Sequence, residues 1–273
     1  MKELLIRALS GAIYAALLVG ALYYQLALII VIALFGIISL MEFSKLIKLK
    51  GYIQYFIFTL LYIAFWYLCM YNKTLFKSSD AINILLALTI CVNLLLIKDL
   101  FTFKKIPLFK SKRYIATTFY LTSGFIFILL IANFNNSFSP LLLLGTFILI
   151  WVNDSAAYFV GKNLGKQKLF PSVSPKKTVE GFLGGLFFAC IASYFIAKYS
   201  ETLNTTNWLI LAIIISVLGT FGDLIESKFK RQAEVKDSGV IMPGHGGLLD
   251  RLDSLIFTAP FIYLYLSIIY YVS

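Results

Sequence analysis

Acidic and basic side chains cluster near the C-terminus at spacings that suit metal and phosphate chemistry. Asp223, Ser227 and Lys230 are spaced i, i+4 and i+7, so one face of a helix would carry all three. Asp250 and Asp253 are spaced i and i+3 and would share a face in the same way. Carboxylate oxygens suit Mg²⁺, which keeps waters and substrate phosphates in its remaining positions. If the two helices are neighbours, Asp223 and Asp250 can therefore converge on one Mg²⁺ ion.

The connection between these two helices is unusually polar for a loop. Its Pro243–Gly247 turn includes the chain's only histidine, and the glycines would let the backbone approach a ligand closely. The other ionisable candidates, in the connection or at its ends, are Lys230, Arg231, Lys236, Asp237, His245, Arg251 and Asp253. A structural hairpin with solvated bases and capping acids would explain any one of these residues. It does not explain the whole string, which favours a site for a phosphate-bearing substrate.

A second polar stretch comes directly before the apolar segment that begins at Val179. Ser174, Lys176, Lys177 and Thr178 offer hydroxyl donors and positive charges at the predicted start of a helix, whose free N–H groups also attract anions. The pattern predicts a phosphate site. The alternative is a capped helix start with lysines at the membrane surface.

Two neighbouring features have different interpretations. Asp154 lies among apolar residues, and we expect it to line a polar cavity or to pair internally; the alternative is that it faces solvent. Gly181 and Gly185 form a small-xxx-small pair, which is typical of tight helix packing rather than of ligand contact.

Membrane helices must position these groups. The 273 residues are 60% hydrophobic and 14% charged, whereas soluble domains have roughly 45–50% and about 25%. Long apolar runs separated by short basic stretches predict an all-α, polytopic helical bundle in a bilayer. The net charge of +11 lies mostly between the apolar runs, where it meets anionic headgroups. Nucleic-acid binding is therefore not expected.

The apolar runs predict about nine spans, since a spanning helix needs roughly 20 residues. They are residues 5–22, 25–44, 53–71, 81–97, 114–132, 139–160, 179–197, 206–226 and 252–271. We interpret residues 1–140 as an N-terminal transmembrane region of about five spans, with little beyond apolar helices and basic loops. Residues 141–273 hold almost every clustered polar group and are interpreted as a catalytic transmembrane region of about four spans.

The basic residues predict an orientation. With nine spans, all but three of the 24 Lys and Arg residues lie on the side of the N-terminus; the exceptions are Lys73, Lys77 and Lys198. The positive-inside rule then places the N-terminus and the polar cluster in the cytoplasm. In a bacterium, the protein would be an integral protein of the inner or cytoplasmic membrane. Lys2 and Arg7 before the first apolar run could belong to a signal peptide, but no convincing cleavage site follows, so we expect a retained first helix.

The polar stretches carry a family resemblance. SKFKRQAEVKDSGVIMPGHGGLLDRLD, at 227–253, resembles the signature of the phosphatidate cytidylyltransferases, also called CDP-diacylglycerol synthases. NDSAAYFVGK at 153–162 and SPKKTVEG at 174–181 are similar to that family's D-x-x-A-Y-x-x-G and S-P-x-K-T-x-E-G. Met242 replaces the family's more usual Leu, Ile or Phe and stays apolar. The resemblance covers most of residues 150–254.

The resemblance implies synthesis of CDP-diacylglycerol from CTP and phosphatidic acid, at a membrane surface, with Mg²⁺ and room for a second cation. It is also consistent with a homodimer. We assign Asp223 and Asp250 as the ligands of this metal, and Lys230, Arg231, Lys236 and Arg251 as groups that neutralise phosphates. The remaining implied catalytic residues are Ser227, Asp237, His245 and Asp253. The implied substrate-binding residues are Asp154, Ser174, Lys176, Lys177 and Thr178.

Two other classes compete with this interpretation. A transporter or channel would also carry acids within the membrane, but it would place them near the midplane and often in both halves, whereas here they crowd one half. A related enzyme could use the same nucleotide on another lipid, such as a polyprenol kinase or an archaeal ether-lipid cytidylyltransferase. The D-G-x2-A-R-x8-G-x3-D-x3-D pattern of CDP-alcohol phosphotransferases is absent from the sequence.

Overall fold

The computed structural model describes residues 2–70, 80–102, 105–134 and 137–272. Within these residues the chain forms nine long helices and one small β-hairpin. The helices are α1 (Lys2–Ala21), α2 (Gln25–Leu46), α3 (Ile53–Met70), α4 (Asp80–Thr102), α5 (Lys110–Ala132), α6 (Pro140–Leu164), α7 (Val179–Ser200), α8 (Thr205–Gln232) and α9 (Leu249–Val272). The strands are β1 (Lys168–Phe170) and β2 (Ser174–Thr178).

The predicted helical membrane bundle is confirmed. By length and composition, seven of the helices in the described residues can cross a membrane, namely α2 and α4–α9. The other two contribute shorter apolar stretches, Leu9–Ala21 in α1 and Ile53–Tyr67 in α3. The chain is therefore an integral membrane protein, and for α1 and α3 a complete crossing stays a prediction. Lys73 and Lys77 lie outside the described residues.

The β-hairpin between α6 and α7 was not predicted. Its strands are antiparallel, with Lys168 opposite Thr178 and Phe170 opposite Ser174. Pro175 favours extended backbone at Ser174, because its ring clashes with a helical preceding residue. As expected, the stretch lies directly before a helix, since Thr178 caps α7 and α7 begins at Val179. Lys176 and Lys177, however, belong to β2 and not to the first turn of that helix.

The two helices that carry the acidic residues pack directly against each other, as the proposed convergence of Asp223 and Asp250 requires. The Ser254 hydroxyl on α9 donates to the Gly219 carbonyl on α8 at 3.1 Å. Gly222 leaves room for the same neighbour, because a Cβ there would lie 2.7 Å from the Cβ of Phe257. Backbone contact this close fixes how the polar ends of α8 and α9 face each other.

Tight packing of α6 on α7, predicted from the glycine pair, is also confirmed. A Cβ at Gly185 would lie 2.8 Å from the Asn153 carbonyl oxygen, and one at Gly181 would lie 2.7 Å from that of Ala157. Larger residues would force the two helices apart, so these glycines set the distance between α6 and α7.

Helix α5 lies at the centre of the bundle. Most of it is buried, and its Ala116–Thr122 turn is a π-helix. It meets α9 near Pro260, which lies inside that helix; proline cannot donate to the carbonyl four residues earlier, here that of Ile256. Gly124 of α5 allows the approach, since a Cβ there would lie 2.7 Å from the Ile256 oxygen. The core thus joins helices from both predicted regions of the chain.

Candidate active site

One polar cavity of about 550 Å³ lies between α6, the β-hairpin, α8 and α9. It brings together residues from all three of the polar stretches identified in the sequence. The predicted site residues in its wall are Asp154, Lys176, Lys177, Thr178, Asp223, Asp250, Arg251 and Asp253. Lys162, which was not predicted as a site residue, also lines it, so the cavity combines four carboxylates with four cationic side chains. Which of them act in catalysis stays a prediction.

Asp223 links α8 to the β-hairpin. Its Oδ2 atom lies 2.6 Å from Nζ of Lys177, and its Oδ1 atom accepts a hydrogen bond from Ser227, one turn along the helix, at 3.1 Å. The Lys177 and Asp223 side chains are 28% and 34% exposed, so the pair is accessible from the cavity. Ser227 supports this carboxylate and does not line the cavity itself.

Lys177 is close to three carboxylates. Burial lowers the pKa of its ammonium group, but the negative charges of Asp223, Asp253 and Asp154 more than offset that effect and hold the pKa above its ordinary value. Lys177 is therefore charged at physiological pH. A bound polyanion would meet a fixed positive charge at this wall of the cavity.

Asp250 has different partners. Its Oδ1 atom lies 2.6 Å from Nζ of Lys230, and its Oδ2 atom accepts from the backbone N–H groups of Ser238 and Gly247 at 2.9 and 2.7 Å. Lys230 also pairs with the buried Glu226 at 2.5 Å. Lys230 thus bridges two acids behind the cavity wall. Lys230 lies in the same helix as Asp223 and Ser227, at the spacing that predicted a shared face, but its Nζ atom pairs with Glu226 and Asp250.

Other predicted site residues lie outside the cavity wall within the described part of the chain. They are Ser174, Ser227, Lys230, Arg231, Lys236, Asp237 and His245. Arg231 donates to the carbonyls of Val173 and Val235, at 3.4 and 3.2 Å, and so ties α8 to the hairpin. Lys236 and Asp237 are exposed. The catalytic roles of these residues stay predictions.

Thr178 already has a structural task. Its hydroxyl oxygen accepts from the Gly181 N–H at 3.1 Å and caps α7. Glu180 folds back to accept from the backbone N–H groups of Lys166 and Gln167 at 3.0 and 3.1 Å. The cap and this carboxylate fix the hairpin to α7, which holds Lys177 beside Asp223.

His245 and Arg251 belong to the turn at the start of α9. Arg251 donates to the His245 carbonyl at 2.8 Å. Helix α1 covers this turn: the Ser10 hydroxyl lies 2.7 Å from Nδ1 of His245, and the Tyr14 hydroxyl donates to the Arg251 carbonyl at 3.3 Å. Neither Ser10 nor Tyr14 was predicted as a site residue, since a hydroxyl in an apolar run gives no signal of a distant partner.

The glycines of the connection serve two purposes. Gly244 and Gly246 have φ values of +74° and +90°, which favour glycine. Gly239 and Gly247 instead leave room for Glu42 of α2, since a Cβ would lie 2.7 Å from Cδ of Glu42 at the first position and 2.6 Å from its Oε2 at the second. The sequence predicted that these glycines let the backbone approach a ligand closely. At Gly239 and Gly247 the backbone instead approaches the Glu42 side chain. Glu42 itself was not predicted.

The donor chemistry of the cavity fits a hard cation. Within the described residues, no three Asp, Glu, His or Cys side chains form a group that could hold a metal ion by themselves. Mg²⁺ is usually bound by only one or two carboxylates together with waters and substrate phosphates. Asp223 and Asp250 line the same cavity, so two protein ligands are available for that kind of site.

Comparisons with known proteins agree across the chain. A family model described as the cytidylyltransferase family matches residues 5–269. A protein of Bacillus subtilis (strain 168) named phosphatidate cytidylyltransferase is 35% identical over 277 residues, which cover 98% of this chain and 98% of that protein. A protein of the same name from Staphylococcus aureus (strain COL) is 48% identical over 120 residues, or 43% of this chain and 46% of its own length. The Staphylococcus haemolyticus (strain JCSC1435) protein of that name has the same identity and coverage.

Proposed function

This chain belongs to the cytidylyltransferase family, and from that premise we propose that it is a phosphatidate cytidylyltransferase. It transfers the cytidylyl group of CTP to phosphatidic acid and releases CDP-diacylglycerol and pyrophosphate. The observation that carries the proposal is the shared cavity in which Lys176, Lys177 and Arg251 face the acidic ends of α8 and α9. A relative named for this activity aligns over nearly its whole length.

The reaction needs charge neutralisation more than acid–base catalysis. A phosphate monoester loses its second proton near pH ~6, so an oxygen of phosphatidic acid can attack the α-phosphorus of CTP without a general base. A new P–O bond forms as the bond to the pyrophosphate oxygen breaks, and pyrophosphate leaves with the electron pair. Lysine and arginine side chains that bind the phosphates stabilise the spreading negative charge.

Asp223 and Asp250 are proposed to hold Mg²⁺ at the cavity, with room for a second cation. The ion would neutralise phosphate charge and orient the triphosphate. Lys177 and Ser227 hold the Asp223 carboxylate, whereas Lys230 and two backbone N–H groups hold that of Asp250. Each carboxylate is therefore fixed before substrate arrives.

The direct test uses purified protein with labelled CTP, phosphatidic acid and Mg²⁺. We expect stoichiometric release of pyrophosphate and formation of a CDP-lipid, with loss of both products when a chelator is added. Product formed from a polyprenol or an ether lipid, but not from phosphatidic acid, would contradict the proposed substrate. Cation flux across vesicles without any nucleotide turnover would instead support a transporter.

The family resemblance is also consistent with a homodimer. Light scattering of the detergent-solubilised protein tests this oligomeric state.

A further inference from the structure

The Glu42 side chain of α2 is buried directly beside the connection that leads to Asp250. It is 2% exposed and comes from the part of the chain in which the sequence showed no motif. We infer that Glu42 is a positioning residue for the active site: it fixes the backbone between Ser238 and Leu249 and so holds the Asp250 carboxylate at the cavity. The inference rests on the proposed function in one respect only, because the activity assay in its test measures cytidylyl transfer.

Glu42 binds both ends of this segment. Its Oε1 atom accepts from the Leu248 N–H at 3.1 Å, and its Oε2 atom accepts from the Leu249 N–H at 2.8 Å and from the Ser238 hydroxyl at 3.1 Å. The first N–H groups of a helix have no partner within the helix, and a negative charge is favoured at that end. A residue of α2 thus provides the cap of α9, although the two elements are far apart along the chain.

The same segment is held from its other face by Asp250. Asp250 accepts from the N–H groups of Ser238 and Gly247. Ser238 is thus bound by both carboxylates, and Gly247 directly precedes the two residues whose N–H groups Glu42 binds. Glu42 and Asp250 therefore both accept hydrogen bonds from the segment between Ser238 and Leu249. If Glu42 is lost, Leu248, Leu249 and the Ser238 hydroxyl lose their acceptor, and the segment that orients Asp250 is free to move.

The glycines support the same conclusion by a separate route. The three atoms nearest to a Cβ built at Gly239 all belong to Glu42, with Cδ at 2.7 Å and Cγ at 3.1 Å. A Cβ at Gly247 would meet both Glu42 and Ser238. Gly239 does not have a positive φ, so its backbone conformation does not require glycine. Glycine is required there because Glu42 fills the space.

Both the charge and the length of the Glu42 side chain matter in this arrangement. With glutamine in its place, the amide nitrogen would replace one of the two oxygens, so one of the N–H groups of α9 would face another donor. With aspartate in its place, the carboxylate would be one methylene short of its partners. A group that acted only through its charge would be replaced well by aspartate, whereas a group that positions a backbone would not.

The first test compares Glu42→Gln and Glu42→Asp with Glu234→Gln. Glu234 is an exposed acid of the same connection, so its variant controls for loss of charge. We expect both Glu42 variants to lower kcat by about 10- to 100-fold, the scale seen when a group that orients a ligand is lost. KM for CTP should change much less, because Lys176 and Lys177 lie on another element. Glu234→Gln should match the wild type.

The second test asks whether Glu42 and Gly239 act together. Gly239→Ala should lower kcat and the unfolding temperature in the wild type, because the new methyl group meets the Glu42 side chain. In a Glu42→Ala background the same change should have little further effect, since the space is then open. Gly20→Ala is the control, because no atom of the described residues outside its own helix turn lies within 4 Å of a Cβ at Gly20. If Glu42→Ala does not fold, Glu42→Asp replaces it as the background.

The outcomes separate this inference from the proposed function. Wild-type kcat in Glu42→Gln, or equal damage by Gly239→Ala in both backgrounds, would overturn the inference even if the enzyme makes CDP-diacylglycerol. Equal changes in kcat and KM would also overturn it, because Glu42 would then act on the fold as a whole. If the wild type transfers no cytidylyl group, the proposed function fails, while the unfolding temperatures still decide whether Glu42 fixes the connection.

Discussion

Asp223 and Asp250 share a cavity but not a set of partners. Asp223 pairs with Lys177 of the hairpin, whereas Asp250 pairs with Lys230 of α8. We expect Asp223→Asn and Asp250→Asn each to lower kcat/KM by at least about 10²-fold, the scale of removing one electrostatic stabiliser. If both act through one Mg²⁺ ion, the double variant should be little worse than either single variant. Steady-state kinetics measures all three.

The exposed Asp80 at the start of α4 provides the control for this experiment. Asp80→Asn should leave kcat/KM unchanged. Near-normal turnover of a well-folded Asp223→Asn or Asp250→Asn variant would remove that residue from the metal site. Losses that multiply in the double variant would show that the two acids have separate roles.

Lys177 should act on substrate binding. Because its pKa is held above the ordinary lysine value, its charge is fully present at neutral pH and is lost only as the pH rises through that raised pKa. Lys177→Met should therefore raise KM for CTP or phosphatidic acid, by a factor that stays constant from about pH 7 to about pH 9. Lys168→Met changes an exposed lysine of the same hairpin and should have no effect. An unchanged KM would mean that another group supplies the charge, and a ratio that falls between these pH values would mean that Lys177 loses its proton there.

At the scale of elements, Lys228 of the 227–253 stretch has a structural role. Lys228 is 4% exposed, and its Nζ atom donates to the carbonyls of Asp99 and Leu100, both at 2.9 Å. These carbonyls lie in the last turn of α4, where the helix itself leaves them unpaired. Lys228 therefore joins α8 to the end of α4 rather than facing substrate.

Lys228→Met should consequently destabilise the fold and spare the chemistry. Two buried carbonyls would lose their partner, at a cost of about 1–3 kcal/mol. We expect a lower unfolding temperature in detergent, with kcat/KM of the folded fraction near the wild-type value. Lys105→Met, at an exposed position near the same end of α4, should leave both unchanged. A large loss of kcat/KM at unchanged unfolding temperature would contradict the structural role.

The elements also show which features a sequence can predict. The helices and the pairing of α8 with α9 were predictable, because an apolar run of membrane length is a local signal and consecutive spans tend to be neighbours. The hairpin was not, since strands of three and five residues give almost no periodicity. The seven-residue spacing of Lys230 predicted its side of the helix, but the end of a long side chain can turn elsewhere, here to Glu226 and Asp250.

Across the whole molecule, the predicted division at residue 140 separates the region with sequence motifs from the region without them. It does not separate the candidate site from the residues that hold it in position. Glu42 lies in the first region, and its partners lie 196 to 207 residues further along the chain. A lone acid at the end of a span has the pattern of a surface residue, so this contact could not be predicted from the sequence. Helices without motifs thus hold the candidate site in shape, and the boundary between the two regions stays a prediction.

The candidate site should lie near one surface of the membrane. Helix α8 has 28 residues, or about 42 Å, which exceeds the roughly 30 Å of a hydrocarbon core. Asp223 is 18 residues from its beginning, or about 27 Å. It therefore lies close to the boundary opposite Thr205, where a water-soluble nucleotide and a lipid phosphate can meet.

The distribution of basic residues predicts that this boundary is the cytoplasmic one, and the prediction can be tested directly. Val240, 92% exposed, belongs to the connection after α8, and the exposed Thr206 belongs to the first turn of that helix. One spanning helix separates them, so cysteines placed there should lie on opposite sides. In a background with Cys69, Cys91 and Cys190 replaced, a membrane-impermeant thiol reagent should label Thr206→Cys in intact cells, and Val240→Cys only after permeabilisation. Because CTP is made in the cytoplasm, labelling of Val240→Cys in intact cells would contradict both the orientation and the access of CTP to the cavity.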